Sequence, residues 1–205
     1  MSPTRCLLRV FAGAAAGISL AAALPQAAPQ ATPPAPVAFL HVNLIPMDSE
    51  RVLADHTVVV QGGLIAALGP SAEVTVPPGA QTIDGHGQWL LPGLIDSHMH
   101  LLAVDELSLY LANGVTTVRN MSGEPMHLWW RREIREGRMA GPTLESASPQ
   151  FDSVPPEGTN RVIVTTREEA ERAVDALAAD YDLFKVYNGL TVEAYEGVAI
   201  LWMVP

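Results

Sequence analysis

A single lysine stands in the 205 residues: Lys185, at the end of the apolar run Asp182-Leu183-Phe184-Lys185-Val186-Tyr187. Of twelve basic residues the other eleven are arginines, so charge alone is supplied by arginine almost everywhere. Burial lowers the pKa of a primary amine, and the neutral amine can add carbon dioxide to give a carbamate, which a guanidinium cannot do. The carbamate presents two oxygens, enough to bridge two metal ions roughly 3.5–4 Å apart. Upstream, Pro92-Gly93-Leu94-Ile95-Asp96-Ser97-His98-Met99-His100 places two histidines at a spacing of two. On a strand that continues extended, Asp96, His98 and His100 point the same way. Two imidazoles one pleat apart suit a zinc-like ion. Together these residues suggest a metal centre bridged by a lysine carbamate. Against this stand blander readings: two histidines satisfied locally at a strand end, and a lysine whose stem lies on apolar surface with its ammonium in water.

Positioning such a centre needs rigid elements, and the sequence offers two kinds. From Val37 to about Leu91 the signals are those of strands: Phe39–Ile45, Thr57–Gln61, Leu64–Leu68 and Gln81–Asp84. The pair Gly62-Gly63 is a two-residue hairpin turn, because glycine tolerates positive φ at both positions. After Pro92 strands and helices alternate. Strands are expected at Leu94–His98, Val115–Arg119, Thr143–Ala147 and Leu183–Tyr187. A helix begins near Asp105, with Leu107, Tyr110 and Leu111 on one face, and ends at Asn113-Gly114. A second runs from Pro125 to Glu136 and closes at Gly137, proline at its start and glycine past its end. Thr166-Arg167-Glu168-Glu169 is a capping box, and the helix it opens puts Ala170, Ala173, Val174, Leu177 and Ala178 on one face. Residues 148–160, with three prolines, read as a loop. The alternation predicts a parallel sheet covered by helices, and in barrels of that kind the C-terminal strand ends carry the active site. His98, His100 and Lys185 all fall at such ends.

Taken together and in this order, the motifs resemble the metal-dependent amidohydrolase superfamily, in particular its imidazolonepropionase-like and Xaa-Pro dipeptidase-like branch. The residues that carry the resemblance are Ile83-Asp84-Gly85-His86-Gly87, Leu90 through His100, Gly114-Val115-Thr116-Thr117-Val118-Arg119 and Phe184-Lys185-Val186-Tyr187. It spans about residues 38–196. It implies an α/β fold in which a small β-sandwich (37–91) precedes a TIM-like (β/α)8 barrel, of which residues 92–205 supply about four βα units. It implies that His98 and His100 bind a first divalent metal, zinc by preference, and that carboxylated Lys185 bridges to a second. A metal-bound hydroxide would then hydrolyse an amide, cyclic amide, dipeptide or related bond of a small molecule. Tyr187, Asn188, Arg119 and Asn120 are candidates for the substrate pocket, and Asp96 for a place behind the ligands. Relatives often carry an acidic residue where Asn120 stands.

The family pattern also asks for histidines after the fifth and sixth barrel strands and an aspartate after the eighth. No histidine follows His127 and no aspartate follows Asp182. A whole barrel takes roughly 250 residues, so the expectation is a truncated or frameshifted product, or a partial reading of a longer gene. The competing reading is an inactive fragment with at most weak metal binding through His98 and His100. Trp129 and Trp130 read as helix packing, His127 as a surface or helix-start residue, and His41, His56 and His86 as residues of the β unit without a catalytic role.

Residues 1–24 read as a signal peptide: Arg5 and Arg9 precede an apolar stretch from Val10 to Leu24, short for a membrane span of roughly 20 residues. An uncleaved anchor is the alternative. Residues 25–36, PQAAPQATPPAP, read as an extended linker. These features predict an exported protein, periplasmic or secreted, without stable membrane insertion after cleavage. The formal charge of −10 becomes −12 if Arg5 and Arg9 are removed, and Cys6, the only cysteine, goes with them. Disulfides are then excluded, and so acidic a chain is a poor partner for nucleic acid. The oligomeric state is left open.

Overall fold

The computed structural model describes residues 34–154 and 160–202; the signal segment, most of the linker and the final three residues lie outside them. The described residues form a mixed α/β structure with two five-stranded sheets and four helices. The first sheet contains β1 (Val37–Leu44), β2 (Leu53–Gln61), β3 (Leu64–Pro70), β4 (Gln81–Asp84) and β5 (Trp89–Leu90). β2 pairs antiparallel with both β1 and β3, whereas β4 and β5 follow one another along the other edge of β1, parallel to it. Gln61 faces Leu64 across a turn in which Gly62 and Gly63 have φ of 60° and 80°, the conformation that glycine permits and the expected hairpin requires. Val42, Leu44 and Val58 are buried against Phe39, Leu53, Val60 and Leu90. One five-stranded layer is therefore seen where a sandwich is expected.

The second sheet is built from β6 (Leu94–Met99), β7 (Val115–Asn120), β8 (Thr143–Asp152), β9 (Arg161–Ile163) and β10 (Leu183–Val186). All pairings are parallel, in the order β10-β8-β7-β6 with β9 beside β8. The connections carry α1 (Glu106–Ala112), α2 (Pro125–Arg135) and α3 (Arg167–Leu177), and α4 (Val192–Trp202) follows β10. α3 begins as its sequence dictates: Thr166 Oγ1 accepts from Glu169 N at 3.2 Å, and Glu169 Oε2 accepts from Thr166 N at 3.3 Å. α1 and α2 close on Gly114 and Gly137, both at positive φ.

The sheet's helix-covered face holds two apolar clusters. Met99, Leu101, Leu107, Val118, Trp130 and Leu144 form one. Phe151, Val164, Ala170, Val174, Ala194 and Val198 form the other, with Ala173, Leu177, Phe184 and Val186 packed against it. Trp130 thus belongs to the core, whereas Trp129 stays exposed.

Residues 148–160 depart from the expected loop. β8 continues through Pro149 to Asp152, and β9 adds a short strand beside it. Proline punctuation is overridden here because Phe151 and Asp152 are fully buried between neighbours on both sides. The proline marks a bulge: Leu183 pairs with Ala147 and Lys185 with Gln150, three residues on β8 against two on β10. The backbone N–H of Lys185 is taken up by Ser148 Oγ at 3.2 Å.

Candidate metal centre

The histidine pair sits on a second bulge. Along β6 the register runs from Asp96 opposite Val118 to Met99 opposite Asn120, three residues against two. Asp96 therefore shares the helix-covered face with Val118 and Met99, and simple alternation across Asp96, His98 and His100 is broken. Two observations fit this placement. Burial first, and then the nearby Asp96 carboxylate, pushes the Tyr110 phenol on α1 above its ordinary value. Asp96 Oδ1 also accepts the backbone N–H of His98 at 3.1 Å, a turn-forming contact of the kind aspartate makes two residues along. The expectation that Asp96 points with the histidines is corrected: it shapes the bend that presents them. His98 within the bulge and His100 just past it lie side by side and exposed, ring centroids 5.8 Å apart and planes 15° from parallel.

Neighbouring strands hold this segment residue by residue. Arg119 Nε donates to Ser97 O at 2.7 Å, and Met121 N donates to Met99 O at 2.8 Å. Just past His100, Leu101 N donates to Asn120 Oδ1 at 3.2 Å. Leu101 O accepts from His127 Nε2 at 3.0 Å. Asn120 is fully buried with all its bonds internal, so its expected place in a substrate pocket gives way to one beneath the β6 end. His127 does stand at the start of α2, as expected, but at 1 % exposure it is no surface residue. The ring closes the helix start by accepting from Glu124 N at 2.9 Å, and burial pushes its pKa below the ordinary imidazole value. Reading the sequence for chemistry missed its role; the Glu124-x-x-His127 spacing around Pro125 was the available signal.

Lys185 is half-buried on β10. Phe184 and Val186 on either side pack toward α3 and α4, so alternation turns Lys185 to the opposite face of the sheet. β7 and β8 stand between it and the histidine pair, three strand intervals or about 14 Å measured along the sheet. Past Lys185, Tyr187 is exposed at 40 %, with the Arg161 guanidinium 4.2 Å above its ring, and Asn188 is exposed beside it. Arg161 in turn pairs with the buried carboxylate of Asp152, which also caps Ser153 N at 2.9 Å. Arg161 and Asp152 escaped the sequence reading because the segment holding them reads as loop. His41 and His56 stay in the first sheet, His41 bonded to Asp55 at 2.8 Å; His86 lies close by, its ring centroid 6.2 Å from that of His41.

Among the described residues no three His, Cys, Asp or Glu side chains converge into a metal cage. The donors present, two adjacent imidazoles and a lone amine facing across the sheet, fit part of a divalent ion's shell.

No family model matches the chain. It is 26% identical over 216 residues to the imidazolonepropionase of Pseudomonas syringae pv. tomato, covering 78% of this chain and 54% of that one. Among solved structures, a candidate prolidase from Bifidobacterium longum matches with a TM-score of 0.75 and 27% identity, over 84% of this chain and 49% of its own. A Xaa-Pro dipeptidase with bound methionine shares the fold, with a TM-score of 0.69 and 20% identity, over 81% of this chain and 53% of its own. The chain thus spans about half the length of each of these three proteins. Motifs, parallel strand order and these likenesses agree in their support for the amidohydrolase superfamily.

Proposed function

We propose that this chain carries the first part of the catalytic centre of a metal-dependent hydrolase of C–N bonds in small amides, cyclic amides or dipeptides. His98 and His100 hold a divalent ion, zinc by the preference of imidazole donors, and Lys185 as its carbamate reaches toward a second. The observation that carries the reading is the bulge at the end of β6, which sets two imidazoles side by side where a barrel places its active site. When bound, the ion supplies Lewis acidity toward the scissile carbonyl. The chain's own residues do the positioning. Asp96 and Arg119 fix the bend from either side, and Tyr187 and Asn188 stand at the mouth beside Lys185, placed to meet a substrate. The likenesses to an imidazolonepropionase and to prolidases favour cyclic amides and proline-containing dipeptides as substrates. The segment 1–24 supports export, and the domain division at about residue 91 follows the boundary between the two sheets.

A second reading, a domain that binds one ion weakly and catalyses nothing, is favoured by the partial ligand set among the described residues. The two separate in one experiment: protein spanning the full length of the relatives, with this chain as its first part, is loaded with zinc and assayed against dipeptides, lactams and esters. The hydrolase reading expects zinc-dependent turnover that Lys185→Ala abolishes and a small carboxylic acid partly restores. Zinc uptake with no turnover on any substrate would leave the second reading standing.

A further inference from the structure

We propose that Asn120 and His127 are positioning residues for the histidine pair, holding the backbone of Leu101 and, through it, His100. The inference rests on the reading of His98 and His100 as metal ligands. Both side chains are buried, at 0 % and 1 % exposure, so neither meets an ion or substrate directly. Their bonding leaves no freedom. His127 Nδ1 receives two donors, Glu124 N at 2.9 Å and Asn120 Nδ2 at 3.0 Å, and therefore carries no proton. The proton sits on Nε2, aimed at Leu101 O at 3.0 Å. Asn120 Oδ1 accepts from Leu101 N at 3.2 Å and from Ser122 N at 3.3 Å, while its amide also donates to Ser122 O at 3.3 Å.

Leu101 is thus held at both its N–H and its C=O by side chains, at the point where β6 has ended and the ladder offers no partner. Filling a core is not reason enough for such a pair. Buried polar groups are costly unless every partner is in place, and apolar side chains would seat α2 without that risk. What the pair supplies, and apolar groups cannot, is a fixed backbone one residue after His100. Groups that orient ligands from behind commonly change metal affinity by about 10–100-fold when removed.

The test compares two amides at one position. The amide nitrogen of His127→Gln reaches the place of Nε2 and keeps the donor to Leu101 O, whereas His127→Asn stops at the place of Nδ1 and releases Leu101. Cobalt(II) is titrated into the full chain and followed by its visible absorption, with thermal melting of each metal-free variant alongside. The glutamine variant should bind within about threefold of the wild type. The asparagine variant should lose about 10–100-fold in affinity with a changed cobalt spectrum, read at a temperature where the melting curves show both metal-free variants folded. Equal affinities in the two variants overturn the inference while leaving the ligands in place. Failure of the wild-type chain to bind cobalt overturns the ligand assignment and the inference together. Should either variant not fold, Asn120→Asp against Asn120→Ala repeats the comparison, since aspartate keeps the oxygen that receives Leu101 N. Aspartate must then bind cobalt more tightly than alanine, and equal binding overturns the inference.

Discussion

Replacing Arg131 with methionine should loosen the strand that carries Lys185 without touching the strand itself. Arg131 lies on α2, and its guanidinium pairs with Asp182 and donates to Asp180 O at 2.6 Å, just before β10 begins. Asp182 Oδ2 also receives Ser146 N from β8 at 2.8 Å, so helix and two strands meet at one carboxylate. The two side chains are 17 % and 28 % exposed, sheltered enough for the pair to count yet wet enough to screen it. A hydrogen bond to a charged group contributes about 1.5–3 kcal/mol, and after screening the loss here should be about 2 kcal/mol. At this chain length each kcal/mol lowers the melting temperature by about 2–4 °C.

The same substitution has a pH signature. Burial first, then the Asp182 charge, holds the Glu145 carboxyl above its ordinary range, and Arg131 pulls it back down. A carboxyl whose folded pKa lies above the unfolded one supports folding fully below the unfolded value and loses that support as pH rises through the folded value. Without Arg131 the folded value climbs further, so the penalty of the substitution must be larger at pH 7.5 than at pH 4.5. Urea unfolding followed by circular dichroism, with Asp182→Asn completing a double-mutant cycle, measures both. A loss under about 0.5 kcal/mol, a coupling energy near zero, or the same penalty at both pH values would refute this account of the junction.

Phe151→Ala should cost about 3–5 kcal/mol, because the ring is fully buried on β8 and meets Phe184 edge to face with centroids 5.8 Å apart. A chemical-denaturation midpoint shift is the readout. His127 predicts a slope of the opposite sign from Glu145. With its folded pKa below the unfolded value of about 6.5, the unfolded chain takes up the proton first, so stability falls as pH drops from neutrality toward the folded value. His127→Gln should remove that part of the slope, at most about 1.4 kcal/mol per pH unit, when urea midpoints are compared between pH 5 and pH 7.

Local chemistry made the regular parts of the fold readable. The Gly62-Gly63 hairpin, the Thr166–Glu169 cap and the alternation of apolar strands with helices after Pro92 depend on residues close in sequence, and each appears where its residues place it. The bulges did not announce themselves, because register is settled between strands. The extra residue between Asp96 and Met99 turns Asp96 to the other face, and only the pairing with β7 reveals it. Pro149 looked like the end of a strand because the missing N–H is the visible signal, while the Ser148 hydroxyl that accepts from Lys185 N and the buried Phe151 act through β10 and α3. His127 was hidden for a similar reason. Its partners, Leu101 and Asn120, lie 26 and 7 residues away and come together only through the sheet.

The central claim is that the lone amine and the paired imidazoles serve one metal pocket. It is met most directly by 13C NMR of the chain equilibrated with zinc and 13C-bicarbonate. The account predicts a carbamate resonance that requires zinc, disappears in Lys185→Arg and is lost or much reduced in the double variant His98→Ala, His100→Ala. A wild-type chain that takes up zinc through its histidines and yields no carbamate signal, its zinc affinity unmoved by Lys185→Arg, would contradict it.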